Sequence, residues 1–204
     1  RFPIPDANAM FYGLKGANFF SKFDAQSGFW QIGIAEEDQD KTAFVTASGS
    51  YKFQVMPFGL VNAPATFQLA MQKIFSDLID NGVKVFIDDI LVYSKTIEEH
   101  IELLEKVLGR ARNAGLWLKA EKSTLCVEEI SYLGHMISSK GISPMSSKVE
   151  AITNWKLLEN VDEIRSFLGL VGYYRNFIPH LADLAKPISK MLSKSVPFEW
   201  GPEQ

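Results

Sequence analysis

The sequence has no long apolar run, a single cysteine and no surplus of positive charge, and each shortage removes a class of function. Nowhere do roughly 18 apolar residues follow one another, so no segment is a candidate for a membrane-spanning helix. The opening Arg1-Phe2-Pro3-Ile4-Pro5 lacks the basic, apolar and small-residue parts of a secretory signal, and without an initiator Met it reads as the start of an excised fragment. Cys126 alone excludes an internal disulfide framework and fits a reducing, intracellular compartment; it is expected to be a small buried apolar side chain. His100, His135 and His180 are not at zinc-ligand spacing, and none accompanies a serine or cysteine in a nucleophile motif.

A net charge of −3 and a pI near 5.7 argue against holding nucleic acid by bulk positive charge. The distribution is uneven: Lys140 to Lys194 carries eight basic residues against five acids, whereas residues 1–139 carry thirteen against seventeen. With 204 residues, 47% hydrophobic and 22% charged, the chain can bury a core and is expected to hold one domain plus a small appendage.

What is present centres on Val83 to Ser94. Two β-branched and aromatic runs, Val85-Phe86-Ile87 and Ile90-Leu91-Val92-Tyr93, flank Asp88-Asp89, which predicts a hairpin with both carboxylates at its turn. Aspartate is an ordinary turn residue, so the pair alone carries little. A second carboxylate changes the reading: Asp24 closes the strand-like run Ala17 to Asp24 just before a bend at Ser27-Gly28. Carboxylates within about 4 Å repel by roughly 1 kcal/mol in water and about 4 kcal/mol at an effective dielectric of 20, which a cation would relieve. All-oxygen ligands suit Mg²⁺, and two such ions clamp an in-line phosphoryl displacement, the chemistry of nucleotidyl transfer.

Along the chain, residues 1–16 read as an extended arm with a short amphipathic segment at Ala9 to Leu14. Glu36 to Asp40 reads as a solvated turn, and Lys41 to Ala47 with Tyr51 to Met56 as a hairpin across Ser48-Gly49-Ser50. Asn62 is expected to cap a helix of about four turns that buries Phe67, Met71, Ile74, Phe75 and Leu78. Thr96 precedes a helix from Ile97 to Ala114 with Ile101, Leu104, Val107, Leu108 and Ala111 on one stripe. Short strands follow at Leu116 to Leu118, Leu125 to Val127 and Ile130 to Ile137, and Gly141 to Pro144 marks a boundary. Helices are expected over Ser147 to Trp155, Val161 to Tyr174 and Ala182 to Leu192.

These residues resemble a family, the reverse transcriptases of retroviruses and of gypsy-type long-terminal-repeat retrotransposons. Phe19-Phe20-Ser21-Lys22-Phe23-Asp24-Ala25-Gln26-Ser27-Gly28-Phe29-Trp30-Gln31-Ile32 is similar to the first carboxylate motif, Val55 to Phe67 to the nucleotide-site motif, and Phe86-Ile87-Asp88-Asp89 to the polymerase signature hairpin. Tyr132-Leu133-Gly134-His135 and Val161 to Phe177 follow in the family's order. The resemblance implies an α+β right-hand polymerase: a palm with an antiparallel sheet and partial fingers over residues 1–142, a helical thumb over 143–196, and at 197–204 the start of a linker toward a ribonuclease H domain.

It also implies roles. Asp24 and Asp88 would be the principal ligands of two Mg²⁺ ions, with Mn²⁺ as a substitute and Asp89 as a weaker ligand. The backbone carbonyl of Phe23 or Ala25, on either side of Asp24, would complete the same shell. Phe29 would lie beneath the incoming sugar as a gate against a 2′-hydroxyl. Phe58 and Gly59 would line the nucleotide and template side together with Phe86 and Ile87 of the signature. Lys122 would approach the leaving pyrophosphate and protonate it. Leu133, Gly134 and His135 resemble the primer grip, and Gly169 and Tyr173 the thumb track in the duplex minor groove. The implied partners are a template with its primer, a dNTP, and protease, ribonuclease H and integrase domains of a parent polyprotein, in a cytoplasmic particle or the nucleus. Phe86 stands where Tyr is commoner, Phe58 where many retroviral enzymes have Gln, and the basic fingers segment of the family would precede Arg1. A different class remains open at this point: a catalytically silent remnant that binds nucleic acid or protein. An RNA polymerase is disfavoured by Phe29.

Overall fold

Residues 3–193 and 195–202 are described by the computed structural model, and the strands run in chain order as β1 (Phe19–Asp24), β2 (Phe44–Thr46), β3 (Gly49–Tyr51), β4 (Val83–Phe86), β5 (Asp89–Ser94), β6 (Thr124–Val127), β7 (Glu129–Tyr132), β8 (His135–Ser138) and β9 (Gly141–Pro144). The helices are α1 (Glu36–Gln39), α2 (Ala63–Ile74), α3 (Ile97–Asn113), α4 (Ser146–Thr153), α5 (Val161–Tyr173), α6 (Leu181–Leu184) and α7 (Lys186–Lys190). They fall into two units. The first holds the described residues up to Leu133 together with Ile137–Ile142; the second holds Gly134–Met136 and the described residues from Ser143 onward.

The first unit is organised by an antiparallel sheet in the order β4-β5-β1-β6. Period-two alternation gives the sheet two apolar faces. Phe23, Val83, Val85, Ile90 and Val92 pack under α2 and α3 against Phe67, Met71, Phe75, Val107 and Ala111. On the other side Phe20 and Leu91 meet Met10, Leu14, Ala17, Ile130, Tyr132 and Ile137. Full burial of each such large side chain contributes about 1.5–3 kcal/mol, so a sheet covered twice is held firmly at its centre. The Asp24 and Asp89 ends emerge from that rigid centre.

Several local expectations are revised. The acidic run at Glu36 is a helical turn, because Ala35 starts it and three acids in its first turn suit the helix dipole. Asn62 has near-helical backbone angles and makes no side-chain cap bond, so α2 starts without it and stops at Ile74 after 12 residues. In contrast, Thr96 caps α3 by accepting from the Glu99 N–H at 3.3 Å. The buried stripe of α3 is His100, Val107 and Ala111, flanked by Leu103 and Leu104, while Ile101 and Leu108 lie about half exposed. Leu118 forms only an isolated bridge to Ala25. The strand expected from Ile130 to Ile137 is split into β7 and β8, because Leu133 and Gly134 both adopt positive φ, +43° and +72°. A third strand, β9, lies where only a boundary was expected. Cys126 is exposed at φ +52° rather than buried.

In the second unit α5 begins with a reciprocal cap. Asn160 Oδ1 accepts from the Glu163 N–H at 2.9 Å, while the Asn160 amide donates to Glu163 Oε1 at 2.9 Å. Its core is Leu158, Ile164 and Met191, with Trp155, Phe167 and Ile188 around it. The last expected helix is broken at Ala185, with Pro187 in the first turn of α7. Of the expected linker, residues 203 and 204 lie outside the described set. No described helix is long and apolar enough to cross a membrane.

Candidate active site

Register decides where the carboxylates stand. Phe86 pairs with Asp89, so the two-residue turn is Ile87-Asp88 and Asp89 is the first residue of β5; the sequence reading had put both acids in the turn. The reason lies in Ile87, which takes φ +54° despite its branched Cβ. Such backbone persists only where surrounding groups hold it. Gln68 of α2, fully buried, does so: its Oε1 accepts from the Ile87 N–H at 2.6 Å and its amide donates to the Val85 carbonyl at 3.1 Å. Because β4 is an edge strand, that carbonyl has no ladder partner on its outer side among the described residues.

Across β1 and β5, Asp24 stands directly opposite Asp89, which places both on one face of the sheet. Lys22, two residues back, shares that face. Asp88 projects from the turn into solvent, and its carbonyl accepts the Ala25 N–H at 3.0 Å. Asp24 and Asp88 then line a single cavity of about 290 Å³ with Ala25, Phe29, Phe58, Lys119 and Lys122. Lys122 Nζ is 3.3 Å from Asp24 Oδ2. Burial pushes the Asp89 carboxyl above its ordinary value; Lys22 pulls it back, Asp88 and Asp24 push it up, and Lys122 pulls it down. Among the described residues the buried Tyr132 hydroxyl has no hydrogen-bond partner, and burial raises its pKa, with the Asp89 charge adding to the rise.

The donor set suits a hard cation: Asp24 and Asp88 offer oxygens only, on a cavity roomy enough for an ion with its waters. Among the described residues no three His, Cys, Asp or Glu side chains already converge into a metal cluster. The geometry therefore brings two carboxylates together on the cavity, with Asp89 beside Asp24 through the sheet.

Of the residues expected to line a nucleotide, Phe29 sits in a single 3₁₀ turn, Gly28–Gln31. Its ring packs at 5.2 Å from Phe58 and 5.9 Å from Phe67. Phe58 is 63% exposed, and its ring lies 6.0 Å from Trp30. Gly59 follows at φ +93°, a conformation that glycine adopts without strain. Phe86 and Ile87 belong to the hairpin just described.

In the second unit, the Gly134 carbonyl accepts the Tyr174 hydroxyl at 2.8 Å, and the buried His135 ring is caged by Tyr173, Tyr174 and Phe177 at 5.2–5.5 Å. Tyr173 is exposed, and a Cβ built on Gly169 one turn earlier would meet nothing within 4 Å. Leu133 belongs to the first unit. Sequence reasoning missed Gln68, Lys22 and Lys119. A polar residue beside Phe67 and Met71 was the available signal for Gln68, and the two-residue spacing from Asp24 was the signal for Lys22.

Comparison with known proteins points to one family. The family model described as reverse transcriptase (RNA-dependent DNA polymerase) matches residues 5–137. The chain is 41% identical over 194 residues to the retrovirus-related Pol polyprotein from transposon 297 of Drosophila melanogaster, a match that covers 95% of this chain and 18% of that protein. It is 40% identical over 204 residues to the genome polyprotein of Petunia vein clearing virus, 98% of this chain and 9% of that one. Among solved structures, the foamy viral protease-reverse transcriptase in complex with an RNA/DNA hybrid superposes with a TM-score of 0.89 at 28% identity, over 98% of this chain and 27% of that one. Its complex with dsDNA gives 0.90 at 27% identity, over 100% and 43%. The chain thus spans less than a fifth of the curated relatives it matches.

Proposed function

Because the chain belongs to the reverse transcriptase family, the RNA-dependent DNA polymerases, we propose that it is the polymerase core of a retroelement polyprotein, which extends a primer 3′-hydroxyl with deoxynucleotides on an RNA or DNA template. The observation that carries this reading is the shared cavity of Asp24 and Asp88, with Phe29 on its wall. We read the first unit as palm with part of the fingers and the second as thumb. Protease, ribonuclease H and integrase neighbours, an intracellular setting and a template–primer duplex as partner belong to the same proposal.

Reverse transcriptases use divalent metal ions. Here Asp24 and Asp88 would hold two Mg²⁺, with Asp89 in support, and the ions would supply a more acidic 3′-hydroxyl and charge neutralisation at the pyrophosphate. The chain's own residues position. The Ala25 N–H to Asp88 carbonyl bond ties the end of β1 to the hairpin turn, and Gln68 holds that turn from behind. Lys22 shares the face of Asp24 and Asp89 and keeps negative charge tolerable in their half-buried setting. Phe29 is braced between Phe58 and Phe67, so it cannot swing aside for a ribose 2′-hydroxyl. Lys122, on the same cavity and 3.3 Å from Asp24, would donate a proton to the departing pyrophosphate. Gly134, His135, Gly169 and Tyr173 would hold the duplex, with the caged His135 ring fixing the backbone of the primer-grip turn.

The test is primer extension on an RNA template by the full-length protein, with deoxynucleotides and ribonucleotides compared side by side. Extension with deoxynucleotides and at least tenfold less with ribonucleotides is expected, the order of discrimination that a steric pocket provides. Template binding without extension would support the silent-remnant reading instead.

A further inference from the structure

One wall of the cavity carries a cation that the reaction described above does not use. Lys119 lines the same space as Asp24 and Asp88, alongside Lys122. Its position is fixed by the backbone: the Lys119 N–H donates to the Asp24 carbonyl at 2.8 Å, and the neighbouring residues Ala25 and Leu118 form a bridge. The residue is thus tied through two main-chain links to the strand end that bears the first carboxylate. Its ammonium group is only loosely engaged, 4.0 Å from Glu121 Oε2, and the Lys119 side chain keeps 40% of its surface exposed. Lys122, by comparison, already faces Asp24. Two lysines three positions apart, at the start and end of one 3₁₀ turn, line one cavity with two carboxylates and give it a mixed-charge pattern. That pattern suits a ligand with polyanionic and metal-binding ends, a metal-chelated polyphosphate.

We propose that Lys119 is a phosphate-binding residue that holds the β- and γ-phosphates of the incoming nucleotide and, after transfer, the pyrophosphate. This rests on the polymerase reading and adds a substrate contact to it. Lys122 remains the proton donor, whereas Lys119 acts through charge alone, so its loss weakens nucleotide and pyrophosphate binding and leaves the chemical step nearly intact. Glu121 competes for the ammonium group, which gives the inference a second arm of opposite sign.

The experiment measures KM and kcat for deoxynucleotide in RNA-templated extension by the full-length protein, together with inhibition by inorganic pyrophosphate. Lys119→Gln is expected to raise KM and the pyrophosphate inhibition constant together by roughly threefold to tenfold, with kcat within about twofold. Lys119→Arg should restore both, and Glu121→Gln should lower the pyrophosphate inhibition constant by about twofold. Unchanged KM and pyrophosphate inhibition in Lys119→Gln, beside an active wild type, overturn this inference alone. A fall confined to kcat overturns it equally, since it would mark a structural role. A wild type that binds template and does not extend overturns the polymerase reading and this inference with it.

Discussion

Replacing Gln68 by Met should disable the site without touching a residue that lines it. Gln68 is fully buried and makes two hydrogen bonds to the signature hairpin, one to the Ile87 N–H at 2.6 Å and one from its amide to the Val85 carbonyl at 3.1 Å. Methionine fills nearly the same volume and offers neither. The Val85 backbone is buried on the free edge of β4, so its carbonyl loses its outer partner outright; Ile87 is half-buried and can recruit water. At about 1–3 kcal/mol for each unmet buried group, with the Ile87 contribution at the low end, the loss of stability should be about 2–4 kcal/mol. The functional effect should be larger in proportion. Ile87 sits at φ +54°, and without its clamp the turn relaxes toward negative φ and carries Asp88 with it. A displacement of about 1 Å at a reacting centre costs on the order of a hundredfold in rate. Urea unfolding and RNA-templated extension should be read on Gln68→Met beside Gln72→Met, a half-buried position on the same helix expected to stay within about 0.5 kcal/mol of wild type. If the two variants lose the same small amount of stability and extend primers equally, the clamp is not what orders the hairpin.

Three other perturbations follow from the structure. Phe29→Val should raise ribonucleotide incorporation relative to deoxynucleotide by about tenfold to a hundredfold in single-nucleotide extension, because it removes the ring wedged against Phe58 and Phe67; unchanged discrimination would mean that the ring is only core. Gly28→Ala should cost about 1–3 kcal/mol in unfolding, since the added Cβ would come to 2.8 Å from the ring of the fully buried Phe67; a neutral result would show that the 3₁₀ turn yields freely. His100 sets an acid limit on stability. Ser94 Oγ donates to the Thr96 carbonyl at 2.8 Å, so His100 Nδ1–H donates to Ser94 and Nε2 accepts from Ser21, whose oxygen is also the acceptor for the Cys126 N–H. That network is complete with a neutral ring, and burial lowers the His100 pKa. A lowered folded value means stability present above the unfolded pKa near 6.5 and lost as pH falls below it, by at most about 1.4 kcal/mol per pH unit. Melting at about pH 7.5 and 5 should show the decline in wild type and a smaller one in His100→Gln; equal slopes would remove His100 as the cause.

The sequence disclosed the sheet that matters because its strands are β-branched and aromatic runs: β1, β4 and β5 all lie where Phe, Val and Ile recur beside the three aspartates. What was not legible was decided by tertiary partners. The turn shifted by one residue because Gln68, nineteen positions away, holds Ile87 at a positive φ that local propensity argues against. The split between β7 and β8 comes from Leu133 taking positive φ ahead of Gly134, a strained choice for leucine that no short-range pattern signals. Cys126 departs from its usual burial because β6 is the outer strand of its sheet and the chain bulges there, with the register shifting between Phe20 and Lys22. Within the site, motif residues were readable one by one. The second lysine on the cavity wall was not, since Lys119 in the sequence alone is indistinguishable from any solvated charge.

The central claim is that Asp24 and Asp88 act as one site although 64 positions separate them in the chain. Its most direct measurement is RNA-templated primer extension by the full-length protein carrying Asp88→Asn, with template–primer binding and thermal unfolding recorded on the same sample. Asn keeps the shape and removes the charge of an exposed turn residue, so binding and unfolding should match wild type while extension falls by at least a hundredfold, on the order expected when a metal-binding carboxylate is lost. Extension at the wild-type rate by that variant would contradict the account.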